Sequence, residues 1–127
     1  MHHTSIPLIL AALIAAAIIV IGCLYVAAPA RIVGGFGLKP PASDADTYAW
    51  LRLKGIRDIA SGLAVLTLML TADGRSVGIV LLVFAVIPFG DMSNVLVSGG
   101  RRAIAFSVHG VTRVVMLVVG LLLTRAI

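Results

Sequence analysis

Apolar residues in this chain fall into four long blocks, and a bilayer-crossing helix needs roughly 20 such residues in a row. The first block covers about residues 6–29 and holds no charged side chain. The others cover about residues 50–71, 76–97 and 103–123. One long connection, residues 31–49, separates the first two, and it is built of turn and breaker residues: Gly34, Gly35 and Gly37, then Pro40 and Pro41, then Asp44 and Asp46. Ser43, with Asp46 three residues on, reads as a capping signal for the second helix. Tyr48 and Trp50 supply rings suited to the headgroup level. Asp73-Gly74 and Ser98-Gly99-Gly100 are tight turns, so the helices they join are antiparallel neighbours. The pattern predicts an all-α membrane protein, a single four-transmembrane-helix bundle with both termini on one side.

Composition narrows this further. An apolar share of 61% with only 12% charged residues is far from the balance of a soluble domain. The first block also exceeds the 7 to 15 apolar residues of a signal peptide and has no preceding Lys or Arg, so it is read as a retained helix. Gly34-Gly35-Phe36-Gly37 lacks the following Lys-Ser/Thr of a phosphate loop and reads as an interfacial turn. The net charge of +5 sits in membrane-flanking turns, not in a basic stripe, which argues against a nucleic-acid partner. Arg31, Lys39, Arg52, Lys54, Arg101 and Arg102 lie toward one side and Arg75 and Arg125 toward the other. The positive-inside rule then places the first and third loops in the cytoplasm and both termini outside it, most simply in the plasma membrane of a prokaryote. Cys23 has no partner in the chain, and His2 and His3 read as a tag fragment or solvated tail. Cys23, Met69, Met92 and Met116 are read as packing residues.

The polar residues inside the blocks carry the chemistry. Lys54, Arg57, Asp58 and Ser61 fall within an arc of about 100° on the second helix. Asp91, Asn94 and Ser98 follow one stripe of the third, and Arg102, His109 and Arg113 one stripe of the fourth. Counted from the helix ends, Asp58, Asp91 and His109 all lie about 10 Å below the same surface, and Tyr25 can bring its hydroxyl to that depth. Facing lipid, Arg57, Asp58, Asp91 and Arg113 would together cost on the order of 10 kcal/mol. The stripes are therefore expected to turn inward and pair, the Arg forks bridging carboxylates. Lys54 and Arg102 are expected to snorkel to headgroups.

The stretches Lys54-Gly55-Ile56-Arg57-Asp58 and Pro88-Phe89-Gly90-Asp91, with His109-Gly110, resemble an uncharacterised family of small four-helix integral membrane proteins known only as a domain of unknown function. The resemblance implies the fold over nearly the whole chain and a shared Arg/Asp/Asp/His set, and brings no activity. Site chemistry suggests a one-sided intramembrane pocket binding a small lipophilic molecule. Asp58, Asp91 and His109 would be its acid-base residues, and Arg57, Asn94, Arg113, Tyr25 and Ser61 would bind substrate. Hydration, isomerisation or epoxide opening would suit the set, with no cofactor. A metal is disfavoured, because one His and two Arg-paired carboxylates make a poor cation cage. A proton-coupled transporter, working as a homodimer, is the main alternative, although small four-helix exporters usually carry an acidic residue in helix one. A non-catalytic subunit that docks through small residues such as Ala12 and Ala16 is the third.

Overall fold

The computed structural model describes residues 5–125; His2 and His3 lie outside them. All regular structure among these residues is helical. Helix α1 (Ser5–Ala27) is apolar around its whole circumference. It gives way to a short turn, α2 (Pro29–Ile32), followed by a 3-10 turn, Val33–Phe36. Gly37, with φ at 103°, ends that turn in the left-handed region.

Helix α3 (Ala45–Thr71) begins earlier than its apolar block suggests. Its cap is Asp44, not Ser43: the carboxylate accepts from the Thr47 amide at 2.8 Å and from the Thr47 hydroxyl at 3.0 Å. Asp73 caps α4 (Gly74–Phe84) in the same way, accepting from the Ser76 amide at 2.7 Å. These amide hydrogen bonds hold both Asp carboxyls below their ordinary range. Ala85 separates α4 from α5 (Val86–Val97), because Pro88 has no N–H to donate to the carbonyl four residues back. After the Ser98–Arg101 turn come α6 (Arg102–Ile104), a π-helical segment at Ala105–Gly110, and α7 (Val111–Arg125).

Among the described residues, three stretches are both long and apolar enough to cross a membrane: Ile6–Ala27, Gly74–Val97 and Arg102–Arg125. Helix α3, at 27 residues, has the length but also Asp46, Arg52, Lys54, Arg57 and Asp58, which set its composition apart.

The helices pack as two pairs. In the first, α1 lies against α3, and a Cβ on Gly22 would stand 2.6 Å from the Gly55 carbonyl oxygen. In the second, α4 lies against α7, and a Cβ on Gly78 would stand 2.8 Å from the Gly120 oxygen. Such small-residue contacts bring backbones close without any hydrophobic drive between helices. The pairs join over a core of Ala11, Ala15, Val65, Val77, Leu81, Met116, Val119 and Leu123, toward the Asp73 turn. Helix α3 meets α4 there but runs apart from α5, and the space between the pairs remains open at the other end.

Candidate functional site

That space is a cleft of about 460 Å³ walled by Ile14, Ile18, Ile21, Val65, Leu81, Phe84, Pro88, Val115 and Met116. Its polar side chains are few, and apart from Thr112 of α7 they gather at one end: Lys54, Asp58 and Ser61 from α3, Asp91 from α5, and His109 from the π-helical segment, with the Tyr25 and Phe36 rings beside them. An apolar cleft with a few convergent polar groups is the usual form of a small-molecule site.

Asp58 is buried and paired within its own helix: Lys54 Nζ stands 2.6 Å from Oδ2, one turn back. The same ammonium lies over the Tyr25 ring at 4.4 Å from its centroid and over the Phe36 ring at 5.4 Å. Ser61 donates its hydroxyl hydrogen to the Asp58 backbone carbonyl at 2.8 Å. Asp91 differs. Its contact is His109 Nδ1 at 3.9 Å, too long for a hydrogen bond, and among the described residues no donor reaches its carboxylate within bonding distance.

His109 is buried and fixed from its far side. Its Nε2 lies 2.9 Å from the Phe36 carbonyl oxygen, and the two rings pack with centroids 4.7 Å apart. A carbonyl oxygen can only accept, so Nε2 carries the hydrogen of this bond. In a neutral ring that leaves Nδ1 as a bare lone pair aimed toward Asp91. Two acceptors facing each other across 3.9 Å form a place for a proton or a donor group. His109 lies on the π-helical segment, of which it and Ala105 are the buried residues.

The turn that supplies Phe36 is itself anchored to the fourth helical stretch. The Arg101 amide donates to the Gly37 carbonyl at 2.8 Å, and Arg101 Nη2 donates to the Gly34 carbonyl at 2.6 Å. The first and third loops therefore meet at the polar end of the cleft.

The structure distributes the sequence-derived candidates unevenly. Asp58, Asp91, His109, Tyr25 and Ser61 line the cleft. Tyr25 offers its ring face to Lys54. Arg57 is exposed and outside the cleft lining, because α3 spends the opposite edge of its polar arc on packing Gly55 and Gly62 against α1. Asn94 is also exposed and outside. Arg113 stacks its guanidinium over the Phe89 ring at 4.2 Å and lines a separate shallow groove with Met92 and Phe106. The expected Arg–carboxylate pairing is thus replaced by Lys54 with Asp58 and His109 with Asp91. Sequence reasoning left out Lys54 and Phe36. The i, i+4 spacing of Lys54 and Asp58 carried the signal for the first; nothing in the sequence marked a loop carbonyl that meets a histidine 73 residues on. Among the described residues no three His, Cys, Asp or Glu side chains come together as a metal cage.

A family model described as a domain of unknown function (DUF4267) matches residues 15–123, a span that includes the whole polar layer. No curated protein and no solved structure matches the chain.

Proposed function

The chain belongs to the DUF4267 family, a domain of unknown function, and since that membership carries no activity, we propose a function from the chemistry of the cleft: a membrane protein of four crossings that binds a small lipophilic molecule between its helix pairs and exchanges a proton with it. The observation that carries this reading is the asymmetry of the cleft, apolar along most of its length with the His109–Asp91 pair at one end. His109 Nδ1 is the proton acceptor, Asp91 stabilises the imidazolium that results, and the Phe36 carbonyl keeps the ring in the productive tautomer. Hydration, isomerisation and epoxide opening are reactions such a pair can assist.

Helix α3 is the fourth crossing. At about 1.5 Å per residue its length of 27 residues reaches about 40 Å, more than the ~30 Å hydrocarbon core. Lys54 and Asp58 turn into the cleft, which removes them from the lipid face. The Lys and Arg excess around the first and third loops orients this end of the cleft toward the cytoplasm and both termini away from it. Reporter fusions at Ser43 and Arg125 test the orientation; a cytoplasmic signal from the Arg125 fusion would reverse it.

Binding is tested by methyl NMR in zwitterionic nanodiscs titrated with 1-hexanol. Saturable shifts at Ile14, Ile18, Val65, Leu81 and Met116, absent in a Thr112→Trp variant that fills the cleft, support the reading. Shifts confined to outward-facing Leu13, Val83 and Val114 would sink it.

A further inference from the structure

The cleft also carries information on the charge of its occupant. Its polar end holds one ammonium, Lys54, and two carboxylates, Asp58 and Asp91. Lys54 is committed to Asp58 at 2.6 Å and sits over two aromatic rings, so when His109 is neutral the uncompensated negative charge belongs to Asp91. Arg57 and Arg113 do not help, since neither lines the cleft. An anionic headgroup would meet two carboxylates and an ammonium already occupied.

The free acceptors also have a spacing. Asp91 Oδ2 and His109 Nδ1 stand 3.9 Å apart, and Nδ1 presents a lone pair because Nε2 donates to the Phe36 carbonyl. A nitrogen about 2.8 Å from each can sit between them and donate one N–H to the carboxylate and another to the imidazole, both within ordinary hydrogen-bond range. From this point the apolar wall continues through Pro88 and Phe84 to Leu81, about 15 Å along the helix axis.

On the reading that the cleft binds a small molecule, we propose that the ligand is a lipophilic primary or secondary amine, held in its ammonium form with the head bridging Asp91 and His109 Nδ1 and the hydrocarbon tail lying between the helix pairs. The ammonium N–H next to Nδ1 is then the proton that the pair exchanges.

Four probes of one chain length test this in nanodiscs of zwitterionic lipid, by calorimetric titration with empty nanodiscs as the blank: hexylammonium, hexyltrimethylammonium, 1-hexanol and hexanoate. Hexylammonium is expected to bind at least about tenfold more tightly than the other three, because it alone carries both the positive charge and N–H donors enough for both acceptors. Asp91→Asn should abolish that preference. The comparison of probes on the unmodified protein needs no variant to fold. Equal or tighter binding of hexyltrimethylammonium overturns the bridging geometry, and equal or tighter binding of 1-hexanol or hexanoate overturns the charge assignment, while in each case the binding cleft itself stands. If none of the four binds, the inference falls together with the cleft reading on which it rests.

Discussion

Asp58 and Asp91 lie in the same cleft, yet they are held in opposite ways. Asp58 is buried, and its charge is met at 2.6 Å by Lys54, one turn away on the same helix. Asp91 is only partly buried, its nearest cationic or imidazole nitrogen belongs to another helix 3.9 Å away, and no hydrogen bond within the described residues occupies it. The first arrangement satisfies itself within one helix; the second leaves binding capacity unused. A carboxylate kept for a ligand has to be left short of partners by the fold, and that shortage is tolerable only where the group retains some access to water or ligand. The glycine contacts between α1 and α3 make the difference possible. They hold Lys54 and Asp58 on a close-packed pair, while α5 stands off across the cleft.

The comparison breaks most completely if the close-packed pair is forced apart. A Cβ on Gly55 would stand 2.6 Å from the Gly22 carbonyl oxygen and 2.9 Å from Tyr25 Cβ, so Gly55→Val must displace backbone. We expect a loss of about 3 kcal/mol, read as a lowered melting temperature in detergent. The same change at Gly90, where a new Cβ meets nothing within 4 Å, should leave melting almost unaltered. Next in size is the contrast between the two carboxylates themselves. Asp58→Asn strips a part-buried ammonium of its partner and should cost on the order of 2 kcal/mol. Asp91→Asn removes no hydrogen bond and should cost less than about 1 kcal/mol while the preference for hexylammonium disappears. An Asp91→Asn protein that melts as low as Asp58→Asn would show both carboxylates to be structural.

His109→Gln sharpens the comparison from the other side of the cleft. The amide N–H can still donate to the Phe36 carbonyl, so folding should be nearly retained, but the side chain can no longer accept a proton. The expected result is near-native melting with loss of pH-dependent ligand binding. Unaltered pH dependence in this variant would exclude His109 as the proton acceptor. The smallest effect lies outside the cleft, at the caps. Because hydrogen bonds depress the folded-state values of Asp44 and Asp73, their contribution to stability is full above the ordinary carboxylate range and is lost as pH falls through the depressed values. Melting temperature should therefore drop as pH falls below about 4, and an Asp44→Ala, Asp73→Ala double variant should show a shallower drop.

Much of the framework follows from local sequence alone. Uninterrupted apolar runs, the Asp caps, the Pro88 break and the glycine turns act within a few residues of themselves, and hydrophobic length is a property of composition. The Lys54–Asp58 pair belongs to this class, since residues four apart on a helix are neighbours in any fold. Which edge of a polar stripe faces inward is not local. Arg57 and Asp58 are adjacent in the chain, and only the packing of Gly55 and Gly62 on α1 sends one into the cleft and the other out. Arg113 and His109 likewise share a stripe by simple counting, yet His109 lines the cleft while Arg113 stacks on the Phe89 ring outside it. The Phe36 carbonyl that fixes the His109 tautomer reaches it from a loop across the molecule. Periodicity can say that a helix has a polar face, but the direction of that face is set by the close approach of two other backbones, and only the tertiary structure contains that distance.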